Sequence, residues 1–151
     1  MPALRGGSNL SNYFEFILQA QKTGHAATFL VFLNANDTFA GITGFNEINK
    51  VHRRVRNALA WHPSDLDVPN LYLAGQAAMI ARAYDWGAKR IEWQVNANNQ
   101  FILEGLKDVG PTREAMLRHY ERTADGIWVD KIVFGMTRKE MASARIRLRA
   151  E

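Results

Sequence analysis

Cysteine is absent from this 151-residue chain. Its absence excludes disulfides, thiolate metal sites and cysteine nucleophiles together, and makes a reducing cytoplasm the expected location. Long apolar runs are lacking too, so no segment is expected to span a membrane. Residues 1–10 carry no charged-then-apolar leader. The four histidines, His25, His52, His62 and His119, include no helical i, i+4 pair and no carboxylate spacing of a zinc site. There is no Gly-x-Ser-x-Gly elbow, no Walker loop, no repeat and no low-complexity tract. Charge of one sign is not in large excess: the formal net charge is +4. That leans toward anionic partners such as nucleotides, coenzymes or RNA. The densest basic groups, His52–Arg56 and Arg145–Arg149, read first as solvated surface and second as a nucleic-acid contact.

What is present is ordinary globular material, 47% hydrophobic and 23% charged, enough for a single domain over residues 1–151 with residues 1–10 flexible. The chain is organised around residues 55–99. There a strand, VRNALAW, a polar loop, HPSDLDVPN, an apolar-periodic segment from Leu71 to Trp86, and an alternating strand through Ile91, Trp93 and Val95 predict a parallel β-α-β crossover. Asn70 is placed to cap the helix and Gly87 to end it, with Leu71, Leu73, Ala74, Ala77, Ala78, Ile80, Ala81 and Tyr84 as its apolar side. The loop entering such a helix is where a phosphate-bearing ligand would meet free backbone N–H groups.

Around that unit, Asn9 or Ser11 caps a first helix running to about Thr23, with Phe14, Ile17, Leu18 and Gln21 along one side. Residues 28–33 and 39–48 predict two strands about a turn at Asn34–Asp37, with Gly41 and Gly44 as bends or bulges. Asn98 or Asn99 caps a short helix ending at Gly110. Residues 112–123 and 127–137 then pair about Ala124-Asp125-Gly126, and a Thr137–Glu140 capping box starts the last helix. Trp61 and Trp93 are expected in the core, and all four tryptophans on core faces or a helix end. The fold class is α+β.

This order resembles the GNAT acetyltransferase superfamily, most of all the branch acetylating the N-terminal alanine of ribosomal proteins. The residues carrying the resemblance are Gly44-Phe45, His52-Arg53-Arg54-Val55, the Asn99 helix closing at Gly110, Arg113–Arg118, Ala124-Asp125-Gly126, and Asp130–Arg138 leading into a helix. It covers about residues 11–148. The resemblance implies a mixed, mostly antiparallel sheet flanked by helices with one central parallel crossover, and acetyl-CoA as acyl donor to an amine acceptor. It also implies that the pantetheine pairs with the strand ending Leu59, Ala60 and Trp61. The pyrophosphate would lie at the loop reaching Asn70 and Leu71, and Asn99 would face the coenzyme.

Where the family carries a basic residue and glycines, residues 64–71 read SDLDVPNL, with Asp65 and Asp67 in place of cations and Pro69 removing an N–H donor. These residues point to a loop that caps its own helix. The family's strand Glu and following Gly correspond to Arg56 and Ala58, and the polar residue three places after Asn99 is Ile102. Relative to a typical member the chain also starts late, and the sheet edge this leaves predicts a homodimer by strand addition.

Direct transfer needs a base for the amine and a donor for the leaving thiolate. Glu47, near the end of a central strand, is the base candidate by position, set against a solvent-facing strand end. Tyr120, in the region where the resemblance implies a thiolate proton donor, is the acid candidate, set against edge packing. Two readings stand: an acetyl-CoA-dependent N-acetyltransferase acting on a peptide N-terminus or small amine, and a catalytically inactive GNAT-like domain that binds or dimerises. RNA or ribosome association through Arg53, Arg54 and Arg56 rests on charge alone.

Overall fold

The computed structural model describes residues 8–61, Pro63 and residues 70–149. Its elements run α1 (Ser8–Lys22), β1 (Ala27–Phe32), β2 (Phe39–Asn49), β3 (Arg54–Trp61), α2 (Leu71–Trp86), β4 (Arg90–Asn96), α3 (Gln100–Val109), β5 (Thr112–Arg122), β6 (Trp128–Thr137) and α4 (Arg138–Arg149). The sheet order is β1-β2-β3-β4-β6-β5, antiparallel throughout except for β3 beside β4. The expected crossover is therefore β3-α2-β4. Ser8–Leu10, anticipated as flexible, belong to α1.

Local chemistry explains the element ends. Gly87 takes φ 94°, and its N–H bonds the Tyr84 carbonyl while that of Ala88 bonds Ala83, closing α2. Asn99 caps α3 by accepting from the Ile102 N–H at 3.2 Å, and Gly110 ends that helix at φ 82°. Glu140 accepts from the Thr137 N–H at 2.6 Å at the start of α4. Asn70 does not cap by its side chain. It adopts the left-handed conformation, φ 62°, instead of the extended one a capping side chain needs, and only its carbonyl joins the helix, accepting from Ala74.

The core lies on the sheet face that carries Ile91, Trp93 and Val95. There Met79, Ile80 and Ala83 of α2, Leu106 and Val109 of α3, and Met141, Ala144 and Leu148 of α4 pack together. The α2 stripe is rotated from the expected one. Gln76, Met79, Ile80 and Ala83 are buried, while Ala74 and Ala78 face solvent. Alanines fit either side of a helix, so the bulky Met79 decides the orientation. In α1, Ile17 is buried but Leu18 is exposed. Trp93 is in the core, whereas Trp128 is exposed and stacks on His119. The left-handed His119 lies within a register shift of β5, which breaks strict alternation there.

Two glycines matter for sheet assembly. A Cβ at Gly44 would collide with the Ala27 carbonyl oxygen of β1, and one at Gly135 would meet the Arg90 and Glu114 side chains crossing above β6. No helix of the described residues is long and apolar enough to cross a membrane.

Candidate active site

β3 and β4 pair over Arg54–Arg56 and Arg90–Glu92 and then part. Beyond that point β3 stays bonded to β2 as far as Trp61, and β4 to β6 as far as Asn96. The two strands thus diverge, each held on its outer side, and the backbone of residues 57–61, which includes Leu59, Ala60 and Trp61, faces the gap. A register irregularity skips Ala58 beside Phe45.

Side chains hold the fork at its apex. Gln76 of α2 accepts from Asn57 Nδ2 at 2.6 Å and from Trp93 Nε1 at 2.8 Å through one amide oxygen, all three residues being buried. One oxygen thereby ties α2 to both strands where they separate. Next to it a small, open cleft runs beneath the start of α2, bounded by Val31, Ile42, Thr43, Leu71, Tyr72 and Phe101 among others. Tyr72 sits edge-on to Phe101 at 5.9 Å and lies where a Cβ on Gly105 would be. Burial raises the Tyr72 hydroxyl above its usual range, so it stays protonated.

The opposite sheet face carries an ion-pair ladder. Glu47 pairs with Arg54 at 3.5 Å and Arg56 at 2.9 Å; Arg56 also binds Glu92 at 3.1 Å; Arg90 joins Glu92 at 2.9 Å to Glu114 at 2.6 Å. Burial alone would raise Glu92, but hydrogen bonds from Arg90, Gln94 and Arg56 outweigh it and hold the carboxyl below the usual range. The Arg90 hydrogen bond lowers Glu114, and the same bond is the main cause raising Arg90.

Glu47 and Arg56 are register partners, so Glu47 stands one strand from the apex with its carboxylate engaged. Asn99 follows β4 at the mouth of the fork, its Oδ1 committed to the α3 cap. Asn70 and Leu71 stand at the N-terminus of α2 beside the cleft. The Ser64–Pro69 part of the acidic loop lies outside the described residues. Tyr120 stands on β5, two strands from β4. It is half-exposed on β5, and β6 separates β5 from β4, so the strand spacing alone puts it about 10 Å from β4. Its ring lies 5.9 Å from Lys131 Nζ of β6.

The sequence reading missed Asn57, Gln76, Tyr72 and Glu92. A lone Gln inside the apolar stretch LYLAGQAAMIARAYDW was the available signal for the first two. The basic groups read as solvated surface are largely engaged. Arg53 stacks over Trp86, Arg54 and Arg56 bind Glu47, Arg145 stacks on Tyr84, and Arg147 holds the Asp108 and Val109 carbonyls.

A mixed sheet whose one parallel pair parts beneath the N-terminus of a crossover helix is the GNAT acetyltransferase fold, and comparison with solved structures agrees. The spermidine N-acetyltransferase of Vibrio cholerae in complex with CoA and spermine superposes at TM-score 0.78 with 12% identity, over 91% of this chain and 80% of that one. The Salmonella typhimurium acetyltransferase that modifies the N-terminal serine of ribosomal protein L7/L12 gives 0.75 and 15%, over 88% and 76%. The microcin C7 self-immunity acetyltransferase MccE in complex with acetyl-CoA and AMP gives 0.74 and 16%, over 89% and 73%. No family model and no curated protein matches the chain.

Proposed function

We propose that this protein is an N-acyltransferase that moves an acetyl group from acetyl-CoA to a peptide N-terminus or another small amine. The observation that carries the reading is the parting of β3 and β4 beneath the start of α2. The residues present fit a CoA thioester on two counts. The inner backbone edge of residues 57–61 can pair with an amide-bearing arm. The first-turn N–H groups from Leu71 onward, with no partner inside the helix, favour an anion.

Bound there, the thioester supplies a carbonyl carbon to which an amine nitrogen bonds while the C–S electron pair leaves on sulfur and the nitrogen's proton is passed on. Around that exchange, the residues divide as follows. Glu47, with 35% of its side chain exposed against 15% for Glu92, is the proposed acceptor of the amine's proton. Tyr72, protonated and lining the cleft, is placed to hydrogen-bond a ligand there while keeping its proton. Gln76 keeps the fork rigid. All three ladder carboxylates are tied to arginines, which disfavours a polycationic acceptor and favours a monoamine.

The test is calorimetric titration with acetyl-CoA followed by a thiol-release assay with peptide and polyamine acceptors. Binding with turnover on a peptide amine supports the proposal; no binding up to millimolar ligand overturns it. In the same assay Glu47→Gln should lower kcat by about 100-fold with acetyl-CoA affinity retained.

One observation favours a second reading, a domain that dimerises. β1 is an edge strand of the sheet, and its Leu30 and Phe32 are exposed. A sedimenting species of twice the chain mass, lost on Leu30→Lys, supports it; a monomer at high concentration ends it.

A further inference from the structure

We propose that strand β5, with Trp128 beside it on β6, is a docking surface for single-stranded RNA. This surface is the sheet edge opposite β1 and is separate from the fork. Arg113, Arg118 and Arg122 are exposed along β5, and none of them makes an ion pair among the described residues. The two carboxylates of the same strand are neutralised by cations of neighbouring strands, Glu114 by Arg90 and Glu121 by Lys131, each at 2.6 Å. Asp125 in the turn and Asp130, whose Oδ1 accepts from the His119 N–H at 2.9 Å, are the other carboxylates of the hairpin. Free guanidinium groups therefore dominate this edge. The arginines at 53, 54 and 56, by contrast, are taken up by Trp86 and Glu47.

Exposed rings stand among these cations. Trp128 is 56% and Tyr120 50% exposed, and the His119 ring lies nearly parallel to Trp128, at 21° and 6.4 Å between centroids. Arg122 is the register partner of Trp128, so the two share one face of the hairpin. Rings offering a free π-face beside guanidinium groups suit unpaired bases on a phosphate backbone. A duplex keeps its bases stacked on one another, and RNA is the nucleic acid whose loops and ends present them splayed out. A second copy of the chain laid edge to edge would set arginine against arginine. An acidic peptide added as a strand would meet the break between Leu117 and Glu121, where the register shifts and His119 is left-handed at φ 47°.

The experiment is fluorescence anisotropy of the full chain with a labelled single-stranded RNA of about 12 nucleotides, titrated over a range of salt concentrations. Three phosphate contacts predict a fall of log affinity with log salt at a slope of about −2. The triple variant Arg113→Gln, Arg118→Gln, Arg122→Gln should bring the slope toward zero. Trp128→Ala should weaken binding about tenfold and keep the slope. Both variants change exposed side chains and should retain the unfolding midpoint of the wild type. Absence of salt-dependent binding, or a triple variant that keeps the slope, overturns the proposal. So does equal binding of duplex RNA or of polyglutamate, tighter binding of single-stranded DNA of the same sequence, or displacement by excess CoA, which would place the oligonucleotide in the fork.

Discussion

Replacing Gln76 by Leu is the sharpest structural perturbation available. The amide oxygen lost is the acceptor for both Asn57 Nδ2 and Trp93 Nε1, at 2.6 and 2.8 Å, and Gln76 and Asn57 are each 2% exposed. Asn57 and Trp93, the two donors, are each only 2% exposed. Leaving one buried donor unsatisfied costs about 1–3 kcal/mol. The added apolar contact of Leu offsets roughly 1 kcal/mol of the total, so the two orphaned donors leave a net loss of about 1–5 kcal/mol, centred near 3. For a domain of this length each kcal/mol moves the midpoint by about 2–4 °C, which gives a fall of roughly 6–12 °C by circular dichroism. A double-mutant cycle isolates the cause. Trp93→Phe removes one of the orphaned donors, so it should cost at least about 1 kcal/mol less in the Gln76→Leu background than in the wild type. A midpoint within about 2 °C of wild type, or additive effects in the cycle, would refute the role assigned to this triad.

Gly44→Ala drives a methyl into the backbone of β1 at Ala27 and should cost about 1–3 kcal/mol in urea unfolding; an unchanged midpoint contradicts the close β1–β2 approach. Gly135→Ala pushes against the Arg90–Glu114 pair. It should abolish the stability difference between wild type and Glu114→Gln, which a double-mutant cycle reads directly. The folded Glu92 carboxyl lies below its unfolded value. Its contribution is therefore complete above about pH 4.5 and is lost as pH falls through the folded pKa. Stability should decline below about pH 4.5, and Glu92→Gln should flatten that decline; an unaltered acid limb argues against the ladder.

The crossover was legible because its signals agree at every level. Helix termini at Gly87 and Gly110, alternation at Ile91, Trp93 and Val95, and the turn at Ala124-Asp125-Gly126 each follow from one residue's local chemistry. The orientation of α2 was not legible. Its alanines satisfy either face, and a buried Gln at the centre of the stripe runs against the apolar period. The place of β5 at the sheet edge depends on β6 inserting between β4 and β5, a choice that hairpin signals leave open. The ladder depends on cross-strand register: Glu47, Arg56 and Glu92 lie far apart in sequence, and only the pairing of β2, β3 and β4 brings them together. Asn70 shows the limit of motif reading, since its residue type suits a cap while its left-handed backbone denies the geometry.

The central claim is that the fork between β3 and β4 holds a CoA thioester, and thermal unfolding with and without acetyl-CoA tests it most directly. Ligand at 100 times its dissociation constant adds about 2.7 kcal/mol to the folded state, a midpoint rise of roughly 5–11 °C in a domain of this size. The account predicts that rise with acetyl-CoA and, to a comparable extent, with CoA. A midpoint unmoved at millimolar ligand would contradict it.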